Sequence, residues 1–433
     1  MTHHTRTGAT APDPSPHAAP GAVRRLTDAL LALGPFAAAL VAYKALLDYA
    51  LPEDWFSLSV LRYLFAGLCA LCLGFALRLA AQWRTDRSAG QEPPAPLLPP
   101  AEVSVRRLVD DSAHSVLAEF RVLSHRGEDL AGWSQYLDDH HIPPTAIGTS
   151  YGLRMLSACD LREPRVRRRR VLDSLLALQK AGGGWAASTQ RDRGRPEVTA
   201  WVLAAMVRSG LDDATRAQLT GVLEDMLDPA EDPLGMDCTT VLTIVVAALA
   251  EIAPESAGLL RLVHRLADAA RPGAAAIGGA TACWGESVHA IEPSAAHTAR
   301  AVLALHRAAG ALPDGEPFAR AAGAGLRWLC GTDLDLRLTD EQVRRPMADG
   351  TVDALLVGHF TPAWVTRALL LPGAPEAPEL LATTARSTLD CFKDGTWRWH
   401  DGRQPIWLAY QGTVTMREYA LRATPRPQRT GAL

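Results

Sequence analysis

The sequence predicts an all-α fold, an (α/α)6 toroid of six helical hairpins over residues 102–425, preceded by an N-terminal transmembrane helical hairpin. Three observations predict it. The stretch from Val171 to Met206 reads as one helical hairpin: an apolar helix ends at Gln179, glycines at 182 to 184 permit a left-handed cap, and a second apolar helix opens on Pro196 and Glu197. Aligned on an opening threonine, related second helices recur at Thr149, Thr199, Thr239, Thr298, Thr361 and Thr413. Each is preceded by an amphipathic helix, near 104–124, 164–180, 212–227, 255–270, 316–330 and 377–391. The repeat length is irregular, whereas an open solenoid keeps a tighter one, and six helical pairs with unequal loops are enough to close a ring.

Residues 1–22 are rich in Pro, Ala, Thr, Ser and His and form a tail that cannot bury enough surface to order itself. Two apolar runs follow, Ala29–Tyr43 and Tyr63–Leu77, and residues 23–87 are read as a two-helix membrane anchor. Each run is shorter than the roughly 20 residues of a bilayer span, but Lys44, Arg62 and Arg78 stand at the edges, where long stems snorkel. Arg24 and Arg25 before the first run, and Arg84 and Arg87 after the second, place both ends in the cytosol. The expected location is therefore the cell membrane, two-pass, with the toroid on the cytosolic side. Residues 88–101 form a Pro-rich, semi-rigid linker, and residues 426–433 a short tail. Within the toroid, Leu161–Arg170 is a basic run, read as a solvated face or a contact for anionic headgroups.

An apolar content of 48% over 433 residues is ample for one large core. A net charge of −3 and the absence of any RNA- or DNA-binding signature exclude nucleic acid as a partner class. The seven cysteines are scattered and odd in number, and read as reduced thiols set in apolar helices.

Gln179 followed by Gly183-Gly184-Trp185 resembles the glutamine–tryptophan repeat of squalene-hopene cyclases. Phe392–Trp397 is similar to a degenerate second copy, and Ala282–Gly285 to a weaker third. Over its last three quarters the chain thus resembles the terpenoid cyclase and protein prenyltransferase toroids. The resemblance implies that Trp185 and Trp397 stack at hairpin ends and that Gln179 ties adjoining helices.

In such a ring the residues just ahead of each threonine converge at one end of a central cavity. Glu197 and Asp237 are the candidate catalytic residues, and Cys238, His297, Phe360, Gln411 and Trp201 the candidate ligand-binding residues. Three chemistries fit. Gly235-Met-Asp237-Cys-Thr239 resembles the acid motif of class II terpene cyclases, which implies Asp237 as a general acid acting on an isoprenoid or lipid-like molecule; Gly235 and Cys238 replace the flanking acids. Asp237, Cys238 and His297 are similar to the zinc ligands of protein prenyltransferases, but adjacent residues diverge by roughly 100° on a helix, so no metal or other cofactor is assigned. Glu197 and Asp237 also suit the carboxylate pair of an (α/α)6 carbohydrate-active enzyme. The non-enzymatic alternative is a toroid that binds or scaffolds, with both acids serving as helix caps.

Overall fold

The structure is a computed structural model. It describes residues 102–125, 127–187, 193–228, 235–273, 280–346 and 352–423. Twelve α-helices lie among them, with four two-stranded antiparallel sheets: β1 (Arg121–His125) with β2 (Glu128–Gly132), β3 (Arg271–Pro272) with β4 (Ala282–Cys283), β5 (Thr339–Pro346) with β6 (Val352–His359), and β7 (Phe392–Lys393) with β8 (Thr396–Trp397). The odd-numbered helices are α1 (Glu102–Ala118), α3 (Arg168–Ala177), α5 (Asp213–Met226), α7 (Ala257–Asp268), α9 (Glu316–Gly331) and α11 (Pro378–Leu389). The even-numbered ones are α2 (Ala146–Ala158), α4 (Pro196–Arg208), α6 (Thr239–Ile252), α8 (Ala295–Ala311), α10 (Thr361–Leu369) and α12 (Ile406–Ala423). Each even helix packs on the next, and α12 packs back on α2, so the six form a closed circuit with the odd helices outside it. The described residues form an α/α toroid.

Local chemistry sets the helix starts. Thr145 accepts from the Gly148 amide at 3.0 Å, Asp212 from Thr215, and Ser256 from Leu259, so free amides of the first turns of α2, α5 and α7 are satisfied. Pro196 opens α4 at the position where its missing N–H costs nothing. Gly184 has φ +66°, and a Cβ there would lie 2.5 Å from the Thr199 hydroxyl, so both conformation and space require glycine before Trp185.

Each of three hairpins is locked by the same tryptophan contact. Trp133, Trp185 and Trp284 are fully buried, and their indole N–H groups donate to Val116, Leu175 and Leu266 carbonyls at 2.7, 2.6 and 2.8 Å. Each acceptor is the third residue from the end of its outer helix, where the carbonyl lacks the i+4 bond of a continuing helix; Val116 and Leu175 also accept 3.2 Å bonds from the Glu119 and Leu178 amides. The tryptophan backbone is held in turn by the inner helix: its N–H donates to Thr149, Thr199 and Thr298, each the fourth residue of its helix, at 3.3, 3.0 and 3.0 Å. Its carbonyl accepts from Thr145, Arg195 and Ser294. Trp397 makes a variant that closes the ring: its indole N–H donates to Ser112 on α1 at 2.7 Å and to Thr413 on α12 at 3.1 Å, and those two hydroxyls lie 2.6 Å apart. Trp185 is therefore tied at the hairpin end by Thr199 and Leu175.

The longest hairpin, β5 (Thr339–Pro346) with β6 (Val352–His359), lies between α9 and α10 and is paired from Thr339↔His359 to Pro346↔Val352. It packs closely on the start of α12, since a Cβ at Gly358 would lie 2.5 Å from the Trp407 ring. The side-chain alternation of a strand puts Glu341, Val343, Asp353 and His359 on the inward face and Gln342, Arg344 and Leu356 in solvent.

Among the described residues no helix is long and apolar enough to cross a membrane. This corrects the expected two-pass location: no described helix supplies a span, and residues 23–87, with the tail before them, the linker after them and residues 426–433, lie outside the described residues.

Replacing Trp284 by Ala removes a fully buried indole and its contact, and should cost about 3–5 kcal/mol in chemical denaturation. Trp185→Phe keeps an aromatic ring but removes the indole bond, leaving the Leu175 carbonyl only the 3.2 Å bond from the Leu178 amide, and should cost about 0.5–1.5 kcal/mol in chemical denaturation.

Candidate functional site

The inward face of β5–β6 meets the starts of the inner helices and brings two buried polar clusters there. In the first, Arg195, the residue before α4, pairs with Glu197 of the first turn and donates to Asp353 Oδ2 at 2.7 Å. Arg195 and Glu197 are buried, so the guanidinium is shared between two carboxylates with little help from water.

In the second, Glu341 is the hub. Its Oε2 lies 2.8 Å from His359 Nε2, 3.2 Å from His297 Nε2 and 2.7 Å from the Thr240 hydroxyl; the Cys238 thiol approaches Oε1 at 3.3 Å. His297 Nδ1 is engaged by Ser294 Oγ at 2.9 Å, and the two imidazoles meet edge to face with centroids 4.7 Å apart. Burial works to raise the Glu341 carboxyl, but the hydrogen bonds from both imidazoles outweigh it and hold this group well below the usual carboxylate range. Burial depresses His359 to about 4. The Cys238 thiol is pushed up to about 12 by burial and by the Glu341 charge, so it stays protonated and donates.

Along the middle and C-terminal parts of the inner helices the ring encloses a cavity of about 1310 Å³. Its mouth lies at the helix ends around Pro254, Gly310, Leu371 and Arg422, and its inner part is bounded by Arg154, Trp201, Thr243, Arg300, Trp364 and Tyr410. Arginine dominates the charge. Arg154, Arg300, Arg307, Arg367 and Arg422 line the space against the single carboxylate Glu418, which takes two 3.0 Å bonds from Arg367. Arg154 lies 3.8 Å over the Trp201 ring, and Arg300 5.0 Å from that of Trp364. Arg154 Nε and the indole N–H groups of Trp201 and Trp364 are buried donors without an acceptor. Beside them Tyr151 packs on Trp201 and Tyr410, and burial pushes its phenol well above the ordinary value.

The residues singled out from sequence fall in different places. Cys238 and His297 meet on Glu341. Asp237 is in a short 3-10 turn ahead of α6, partly exposed, and pairs with Arg265 of α7, away from the cavity lining. Glu197 is enclosed by Arg195. Phe360 is fully buried against Trp397 in the core. Trp201 lines the cavity, and Gln411 is buried beside Tyr151 with its Oε1 unpaired. Glu341, Asp353 and His359 were missed, as were Arg154 and Arg300. The only signal for the first three is the long interval between Thr298 and Thr361, which holds the β5–β6 hairpin.

No family model matches the chain, and no curated protein matches it. Solved structures that are similar include a family 76 glycoside hydrolase, a mannosidase, from Bacteroides thetaiotaomicron VPI-5482. That match has 8% identity and a TM-score of 0.43, and covers 74% of this chain and 99% of that one. A family 76 glycoside hydrolase from a bovine Bacteroides thetaiotaomicron strain has 12% identity and a TM-score of 0.39, over 73% and 78% of the two chains. These neighbours are glycoside hydrolases and not terpenoid cyclases or protein prenyltransferases, which corrects the kinship read from Gln179, Trp185 and the Asp237 segment.

Arg195→Met should be among the most damaging single changes at this end of the ring. It leaves Glu197 and Asp353 without their shared counter-charge, and should lower stability by about 3–5 kcal/mol in urea titrations.

Proposed function

We propose that the chain is a carbohydrate-active (α/α)6 toroid whose central cavity takes an acidic saccharide. The observation that carries this reading is the excess of arginine over carboxylate in the cavity lining. A guanidinium-rich lining favours a ligand rich in oxygen acceptors, because hydrogen bonds from a charged donor to carboxylate oxygens are the strong ones. Arg208, Arg367 and Arg422 stand in the last turns of their helices, where positive charge suits the helix dipole without any ligand. Arg154 and Arg300 do not have that explanation. Both are buried on the inner face, set against the rings of Trp201 and Trp364, and line the cavity together with Tyr410.

The geometry favours recognition over hydrolysis by a carboxylate pair. Such hydrolysis needs one carboxyl group held protonated. Burial acts to raise Glu251, near the mouth, but hydrogen bonds from Arg208 and the charges of Arg154 and Arg307 keep it ionised. Both oxygens of Glu418 are occupied by Arg367. Asp237 and Glu197, the acids first singled out, are paired with Arg265 and Arg195.

A second reading rests on the other wall of the same cavity. Ile244, Leu303, Leu370 and Leu371 give it an apolar side, which suits an isoprenoid or lipid-like molecule carrying a phosphate. Calorimetric titration of the full chain with a hexuronic acid trisaccharide, its neutral hexose counterpart and a prenyl monophosphate separates the two. The expected result is binding of the acidic trisaccharide alone, weakened roughly tenfold to a hundredfold by Arg154→Gln, the worth of a hydrogen bond to a charged group. Binding of the prenyl phosphate alone would establish the second reading, and silence from all three removes the cavity as an anion site.

A further inference from the structure

We propose that His297, Glu341 and His359 bind one divalent transition-metal ion of the zinc class, which clamps the β5–β6 hairpin to the ring. The three side chains come from three elements: His297 from the first turn of α8, Glu341 from β5, and His359 from the end of β6. Their ligand atoms, two imidazole nitrogens and a carboxylate oxygen, all lie within 4.8 Å of one another. Zinc–nitrogen and zinc–oxygen bonds of about 2.0–2.2 Å place neighbouring ligands roughly 3.3 Å apart at a tetrahedral centre. The Glu341 oxygen stands 3.2 and 2.8 Å from the two nitrogens, so an ion needs only small side-chain shifts to sit among them.

The surroundings are those of a metal site as well. His297 has its second nitrogen fixed by Ser294 Oγ, which aims Nε2 at Glu341, the kind of outer contact that orients a ligating imidazole. Glu341 is itself steadied by the Thr240 hydroxyl and the Cys238 thiol. Both histidines are almost fully buried, and the Glu341 side chain is 10% exposed. Two imidazoles with one carboxylate favour zinc, cobalt or nickel over magnesium or calcium, whose sites are built from oxygen. The competing account is a carboxylate that simply accepts hydrogen bonds from two imidazoles. It needs no ion and predicts none.

The site is independent of the cavity reading: it lies at the starts of the inner helices, and its ligands are absent from the cavity lining. The deciding experiment is elemental analysis of the full chain purified without chelator, followed by titration of the chelated protein with cobalt(II) and with zinc. The expected results are one equivalent of metal per chain, visible cobalt d–d bands of a low-coordinate site, and a higher melting temperature for the zinc-loaded than for the chelated protein. Glu341→Gln keeps the size and hydrogen-bonding reach of the side chain but loses its charge. It removes a direct ligand, so it should lower metal affinity by more than the roughly hundredfold that loss of an outer-shell partner costs, and abolish the zinc-dependent shift in melting. His359→Gln should do the same. A wild-type chain that carries no stoichiometric metal and leaves cobalt spectroscopically silent overturns the proposal, and so does unchanged affinity in both variants. Because the wild-type titration decides on its own, a variant that fails to fold does not remove the test.

Discussion

The contact on which the rest of the toroid depends is the buried indole N–H that satisfies the frayed end of an outer helix while the tryptophan backbone is gripped by the next inner helix. A helix end leaves carbonyls unpaired, and in a tightly packed ring water cannot reach them easily. Trp133, Trp185 and Trp284 solve this by one device, and each also fills the wedge between two helices with a large ring. The angle of each hairpin is thereby fixed by two hydrogen-bonded ends as well as by apolar packing. At the seam, where the first outer helix must find the last inner one, Trp397 reaches Ser112 and Thr413 instead, so a bond between hydroxyls 301 residues apart in sequence completes the circuit.

Once the circuit closes, its inner faces can no longer all touch, and what they line is decided by residue type at each end. Toward the helix starts the β5–β6 hairpin fills the opening with its inward face, and the acids Glu341 and Asp353 meet His297, His359 and Arg195 there. Toward the helix C-termini nothing comparable enters among the described residues, and the arginines and aromatic rings surround a space of about 1310 Å³. Arg300 lies between the two ends: burial pulls its guanidinium below the ordinary arginine value, while the Glu341 carboxylate acts to keep it charged.

The helices were legible because apolar periodicity and cap residues are local: a helix lies in each of the six outer segments and covers each of the six threonines, although the first outer helix, expected to reach 124, ends at Ala118 before a strand. The threonine frame was legible only in part. Thr149, Thr199 and Thr298 are each fourth in their helix and do the same work, but Thr239 and Thr361 are first and Thr413 is eighth. Counting back from an imagined common threonine therefore points Phe360 inward, when it packs in the core, and sets Asp237 on a helix start, when it sits in a 3-10 turn facing Arg265. Trp133 escaped notice because it follows a β-hairpin, β1 (Arg121–His125) with β2 (Glu128–Gly132), and not a glutamine-ended helix. The β5–β6 strands gave no pattern to read: Thr339–Pro346 is almost wholly polar, since only Val343 has to be apolar on a face whose other contacts are charges. Long-range ion pairs leave no local trace in a sequence.

That last point also explains why the cavity arginines were unremarkable as sequence. Arginine makes up nearly all of the basic residues, with lysine only at 44, 180 and 393, so no single arginine stands out by type. What distinguishes Arg154 and Arg300 is where the fold carries them. A guanidinium with a planar face can be buried more readily than an ammonium, because it stacks on an aromatic ring and is more weakly hydrated. Trp201 and Trp364 supply those rings at 3.8 and 5.0 Å. Stacking holds the charge in place but leaves N–H groups in the plane unsatisfied, as Arg154 Nε is. The same aromatic residues that make the burial tolerable thus keep the guanidiniums in place on the inner faces of the ring, and the cavity gains a lining in which arginine outnumbers carboxylate.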